Sequence, residues 1–159
     1  MERLFRRRME YIGAPPTKVC FLCTAGRSKD PGADLVLKIE PLACVVLNKF
    51  PYNSGHLMVA PIRHTPDLGD LTGEEAAAVM RLVSLSIGVL QKELKAEGFN
   101  FGANLGEVAG AGVPGHLHLH LVPRWAGDTN FMPVLGGTKV IPEPLEETYL
   151  RLKEAFDAM

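Results

Sequence analysis

The chain has no surplus of charge of either sign: 17 Lys and Arg stand against 18 Asp and Glu, a formal net charge of −1 at pH 7. Polymeric nucleic acid is held by a broad basic surface, which this balance argues against, so an anionic ligand must be met by local donors. Long hydrophobic runs are also lacking. The longest uncharged apolar stretch, Leu82 to Leu90, is interrupted by Ser84, Ser86 and Gly88, whereas a bilayer span needs about 20 apolar residues. The opening Met-Glu-Arg-Leu-Phe-Arg-Arg-Arg-Met-Glu lacks the apolar stretch of a signal peptide. The expectation is a cytoplasmic protein with no membrane partner. Cysteine is scarce, and its count of three is odd. That is a poor basis for a disulfide framework, and the Cys20/Cys23 pair suggests a metal or redox role instead.

What is present is ordinary globular material, 47% hydrophobic and 22% charged, enough for one domain with one core. No repeat, low-complexity tract or linker divides it. The domain is taken as residues 1–159, with 1–30 an N-terminal segment and 125–159 a C-terminal tail. Leu4, Phe5, Met9 and Ile12 fit one side of a short helix that ends before Pro15 and Pro16, and Arg6, Arg7 and Arg8 fit its solvated face. Short apolar runs bounded by Pro, Gly and Asn predict strands at Leu35–Ile39, Ala43–Leu47 and His56–Ile62, with Pro51, Asn53 and Gly55 supplying a turn. Thr72 and Glu75 have capping-box spacing. Ala76, Met80, Val83, Ile87, Leu90 and Leu94 then follow at helical steps as one apolar face, and Gly98 is a plausible stop. Strands are expected at Phe99–Leu105 and His116–Val122, and a short helix from Leu145. Because helices and strands do not alternate regularly, the fold class is α+β with a mainly antiparallel sheet of about five strands, one long helix and short terminal helices.

The chemistry concentrates in Gly115-His116-Leu117-His118-Leu119-His120-Leu121-Val122-Pro123-Arg124-Trp125. A strand has period two, so His116, His118 and His120 are expected on one face and Leu117, Leu119 and Leu121 in the core. Packing alone does not account for three of five histidines alternating within five positions. A neutral imidazole near pH 7 can attack phosphorus and carry a covalent intermediate, provided a partner fixes its tautomer and donors neutralise the phosphate oxygens. A histidine two residues away stands about 7 Å along the strand, within reach of the same phosphate. The glycine-rich loop at 106–115 can bring backbone N–H groups to an anion.

With these residues the sequence resembles the histidine-triad (HIT) superfamily. The resemblance extends to Leu47-Asn48, Pro51-Tyr52-Asn53-Ser54-Gly55-His56, Pro61-Ile62-Arg63-His64 and Asn104-Leu105-Gly106. Gly98-Phe99-Asn100, the tail Arg124-Trp125-x-Gly127-Asp128-x-Asn130-Phe131 and Lys139-Val140-Ile141-Pro142 are similar to the prokaryotic diadenosine tetraphosphate phosphorylase-like branch. The resemblance implies that His118 is the nucleophile, that His120 contacts the phosphate with His116 completing the triad, and that Asn48 binds the ribose. It places Asn104, Gly112 and Val113 beside the phosphates, and apolar side chains near Leu47 and Leu57 around the base. It implies a HIT-like fold and a homodimer or larger assembly. The implied reaction is a nucleotidyl transferase or hydrolase acting on dinucleoside polyphosphates, as a phosphorylase where phosphate is the acceptor. One departure stands out: the Gln-Ser or Gln-Thr that many members carry before the triad is replaced by Ala111-Gly112-Val113-Pro114-Gly115, so backbone N–H groups or another residue must hold phosphate.

Cys20 and Cys23 have the spacing of half a zinc site. The resemblance implies that His64 and His116 complete it, giving a closed structural Cys₂His₂ zinc site and no organic cofactor. Two reduced buried cysteines and an exposed His64 are the plainer alternative. A thioredoxin-like pair is disfavoured because no parallel βαβ pattern surrounds it, and Cys44 reads as an inert core residue. Gly110 to Gly115 matches G-x-G-x-x-G, but a strand rather than a helix follows, and Gly136-Gly137-Thr138-Lys139 is not a Walker A loop. Arg63, Arg124 and Lys139 are phosphate candidates but read more simply as surface charges. Three other functions stay open: a phosphoramidase using the same chemistry, a catalytic zinc enzyme built on His116 and His118, and a nucleotide-binding module without catalysis.

Overall fold

A computed structural model describes residues 19–129 and 143–159. The expected first helix with its arginines, the Asn130-Phe131 pair and the segment from Gly136 to Pro142, Lys139 included, lie outside the described residues. Five strands form one antiparallel sheet: β1 (Val36–Ile39), β2 (Ala43–Leu47), β3 (Leu57–Pro61), β4 (Gly98–Gly102) and β5 (Leu119–Arg124), in the order β1-β2-β3-β5-β4. Among the described residues three α-helices accompany them: α1 (Phe21–Ala25), α2 (Gly73–Leu94) and α3 (Leu145–Asp157). This is the expected α+β architecture. The glycine-rich loop runs into β5, so the dinucleotide-fingerprint reading fails on its context.

Every residue of β2 and β3 is buried, because each face of the sheet is covered. Val45, Leu47, Leu57, Val59 and Leu121 form the core with Leu82, Val83, Val89 and Leu90 of α2 and with Tyr149, Leu152 and Phe156 of α3. Cys44, Val46, Met58 and Ala60 turn the other way, against Leu22 and Ala25 of α1. Strand pairing sets the rows. Val46 opposes Met58, Met58 opposes His120, and His120 opposes Gly102, so these four positions share the face away from α2.

The capping box forms as the spacing predicts: Glu75 N–H donates to Thr72 Oγ1 at 3.2 Å and Thr72 N–H to the Glu75 carboxylate at 2.9 Å. Arg63 grips that carboxylate through Nε and Nη2, each at 2.8 Å, which ties the segment after β3 to the start of α2. The buried stripe of α2 differs from the expected one. It runs through Ala78, Val79, Leu82, Val83, Ser86, Val89 and Leu90, while Met80 is exposed. The helix is apolar over much of its circumference, so two helical ladders fit the sequence, and packing against both the sheet and α3 selects one. Gly98 is not the stop: Lys95 ends α2 in a left-handed conformation, φ 54°, and Gly98 opens β4. At Gly55 the backbone is also left-handed, φ 75°, and a Cβ there would lie 2.4 Å from Leu94 Cδ1. Only glycine lets the turn before β3 pass this close to α2.

Candidate active site and metal centre

The histidine row does not lie in one strand as expected. β5 begins only at Leu119, and His116, Leu117 and His118 precede it, all three buried. Two bonds, one to the last residue of β3 and one to the segment after it, hold them there in place of ladder pairing. Leu117 N–H donates to the Thr65 carbonyl at 2.6 Å, and His116 Nε2 donates to the Pro61 carbonyl at 2.9 Å. His116 thereby turns toward the cysteines, while His118 and His120 stay together, their rings edge-on with centroids 4.9 Å apart.

Hydrogen-bond partners fix the protons. His118 Nδ1 lies 2.8 Å from the His116 carbonyl oxygen. A carbonyl only accepts, so Nδ1 carries the proton and Nε2 keeps its lone pair. Burial holds His118 below the ordinary histidine range, partly opposed by this same bond, which favours the neutral ring. On the other side, Tyr52 N–H donates to His56 Nδ1 at 3.1 Å. His56 is then protonated on Nε2 and donates to His120 Nδ1, 2.9 Å away. His120 is left with its proton on Nε2, a donor on the ring adjacent to the unprotonated Nε2 of His118. The Tyr52 ring packs on both His56 and His120, with centroids at 4.6 and 5.9 Å. The fourth histidine, His56, has no solvent exposure. In the sequence His56 opens a predicted strand and closes the Pro51–His56 motif; its signal as a site residue is its position two residues before Met58, on the face that carries His120.

Asn48 follows β2, where its Nδ2 lies 3.4 Å from His56 Nδ1 and its Oδ1 accepts from Phe50 N–H at 2.9 Å. Asn104, Gly112 and Val113 lie on the loop that leads into His116. Asn104 Nδ2 reaches the Gly110 carbonyl at 3.4 Å, and the Val113 carbonyl accepts from His116 N–H at 3.2 Å. Leu47 and Leu57 require a correction. Both are fully buried in the core under α2, and because side chains alternate along a strand, it is Val46 and Met58 that share the histidine face. Arg63 and Arg124 are engaged in ion pairs, Arg63 with Glu75 and Arg124 with Asp128 at 2.6 Å. Arg124 holds the Asp128 carboxylate well below its usual range. Beside these residues Tyr52, Asn100, Val122 and Arg124 line a cleft of about 260 Å³.

The ligand atoms of Cys20, Cys23, His64 and His116 all lie within 4.8 Å of one another. His116 Nδ1 stands 3.4 Å from Cys20 Sγ and 3.5 Å from Cys23 Sγ, and His64 Nδ1 is 3.2 Å from Cys23 Sγ. His116 donates through Nε2 to Pro61, so its Nδ1 lone pair faces the two sulfurs. This two-sulfur, two-nitrogen set fits a tetrahedral divalent metal such as zinc. Cys44 is fully buried and burial pushes its thiol up to about 12, which suits an inert core residue.

A HIT domain family profile matches residues 31–127, and the chain belongs to the histidine-triad family. A protein of Mycobacterium tuberculosis named AP-4-A phosphorylase is 47% identical over 114 residues, 72% of this chain and 58% of that protein. This chain thus spans a little over half the length of that relative. The Schizosaccharomyces pombe bis(5'-nucleosyl)-tetraphosphatase (asymmetrical) is 35% identical over 101 residues, 64% of this chain and 55% of that one. Among solved structures, a zinc-bound histidine triad protein from Mycobacterium smegmatis superimposes with a TM-score of 0.66 at 29% identity, covering 87% of this chain and 94% of that one. Among the described residues no helix is long and apolar enough to cross a membrane.

Proposed function

We propose that this is a cytoplasmic nucleotidyl transferase that cleaves dinucleoside polyphosphates at the α-phosphate, working as a phosphorylase. The observation that carries the reading is the pair of fixed tautomers: an Nε2 lone pair on His118 beside an Nε2–H on His120. His118 Nε2 attacks the α-phosphorus, and the phosphorus–oxygen bond to the next phosphate breaks. The departing nucleotide keeps that electron pair and receives a hydrogen bond from His120. The covalent nucleotidyl-histidine is stabilised by the His116 carbonyl at Nδ1–H. An oxygen of inorganic phosphate then attacks the same phosphorus and the phosphorus–nitrogen bond returns its electrons to His118. Asn48 meets the ribose. Val46 and Met58 line the base pocket, and the backbone at Gly112 and Val113 with Asn104 meets the phosphates in place of the missing Gln-Ser pair. Zinc held by Cys20, Cys23, His64 and His116 serves as a closed structural site. Exposed Phe101 on edge strand β4, with Leu105 beyond it, supports a homodimer. The names of the mycobacterial and yeast relatives support the substrate class.

Incubating the purified protein with diadenosine tetraphosphate, with and without inorganic phosphate, tests the reading. ADP plus ATP formed only with phosphate is expected. AMP plus ATP, or ADP alone, without phosphate would make it a hydrolase. No turnover with this substrate but turnover of an adenosine phosphoramidate would move it to the phosphoramidases.

A further inference from the structure

His116 does two things at once. Its ring belongs to the Cys₂His₂ cluster, and its main-chain carbonyl is the acceptor that sets the tautomer of His118, 2.8 Å away. No ladder pairing holds this residue, because β5 starts three positions later. Beyond the flanking Leu117–Thr65 bond and the His116 N–H bond to Val113, two anchors fix the ring and hence the peptide: Nε2 on the Pro61 carbonyl and Nδ1 among the sulfurs. We propose that the metal cluster is a positioning device for the nucleophile: a metal bound to His116 Nδ1 aims the His116 carbonyl at His118 and so keeps the Nε2 lone pair of His118 available.

The argument is geometric. A neutral imidazole has two tautomers, and only the one with the proton on Nδ1 can attack through Nε2. The choice is made by whichever hydrogen bond the other nitrogen finds, and a buried ring has few to choose from. Ligation adds a second fixed point to the buried His116 ring beside its Nε2 bond to Pro61 and clamps α1 across to the segment after β3, since His64 lies on that segment and Cys20 and Cys23 on α1 and its cap. A metal-free cluster leaves His116 Nδ1 with only weak thiol partners at 3.4 and 3.5 Å. Cys20, Cys23 and His64 are thus positioning residues acting through His116, at a distance from the reacting atoms.

The chemical part of the inference rests on the nucleotidyl-transfer reading, while its structural part does not. The test is made on the zinc-loaded protein with ¹⁵N-labelled histidine, before and after chelation and after zinc or cobalt is added back. The zinc form is expected to show His118 as a single tautomer, protonated on Nδ1, and the chelated form an averaged signal. kcat on diadenosine tetraphosphate should fall at least tenfold, with AMP affinity unchanged within twofold, and both signals should return with metal. The C20S/C23S double variant should match the chelated protein and resist rescue. An unchanged His118 signature after chelation would overturn the proposal, whatever kcat does. So would a joint loss of AMP affinity, kcat and overall fold, which would mark the metal as a plain staple. Should zinc-loaded protein leave diadenosine tetraphosphate intact yet show the tautomer change, the function reading fails and the coupling stands.

Discussion

The two faces of the sheet are built from the same strands under opposite rules. Toward α2 and α3 the strands present Val45, Leu47, Leu57, Val59 and Leu121, a continuous apolar layer. Toward α1 they present Cys44, Val46, Met58 and His120, backed by His56, His116 and His118, each held through at least one ring nitrogen by a hydrogen bond. One face is held by area removed from water, which tolerates substitution roughly in proportion to volume. The other is held by directional bonds in a chain, each fixing the next, where one lost partner propagates. Neighbouring residues of one strand therefore divide stability from chemistry.

That division can be broken deliberately. The largest effect should come from His118→Ala, expected to reduce turnover by about 10⁴-fold or more, as loss of a nucleophile does, while the melting temperature moves by only a few degrees. Wild-type turnover in this variant, lost on chelation, would instead favour a catalytic zinc enzyme. His56→Asn removes the donor that holds His120, and kcat should fall by roughly 10- to 100-fold, at or below the usual share of a proton-transfer group, with KM nearly unchanged in steady-state assays. Leu57→Ala, one residue further on, should do the reverse. Denaturant titration should show a loss of about 2–5 kcal/mol, with kcat per folded molecule retained; a KM increase with little loss of stability would return Leu57 to the base pocket. The smallest effect belongs to Glu75. Its carboxyl is held at about 2 by Arg63 and the Thr72 N–H, below its unfolded value. The stability it contributes is present above that unfolded value and is lost as pH falls through about 2. Glu75→Gln should therefore flatten the acid limb of the stability curve below about pH 4.5, measured by thermal melts from pH 2 to 7.

The sheet, the long helix with its cap and the C-terminal helix were legible in sequence because each rests on a local rule, periodicity or capping. The HIT family and the Cys20/Cys23 half-site were legible because the residue types are rare and their spacing is restrictive, whereas the joining of His64 and His116 to the cysteines was implied only by the family resemblance. Local rules failed where tertiary partners decide. His116 and His118 keep the alternation of a strand in sequence, yet the carbonyls of Pro61 and Thr65, more than 50 residues earlier, hold that segment out of the ladder. The choice between Leu47 and Val46, or Leu57 and Met58, is a matter of one residue in register and is settled only by which strand lies alongside. His56 acquires a role only through His120, 64 positions away.

The span of the metal cluster has a consequence for synthesis of the chain. Cys20 and His116 are separated by 96 residues, and a ribosome adds about 5–20 residues per second. The cysteine pair thus emerges on the order of 5–20 s before its last partner exists; His64 joins it about halfway through, so until His116 is made at most three of the four ligand atoms are present. The four-ligand set is complete only when His116 is made, two residues before His118. On the reading proposed above, the four-ligand set can close only once synthesis has reached His116, two residues short of His118, so a filled cluster would mark a molecule translated to the edge of the candidate active site.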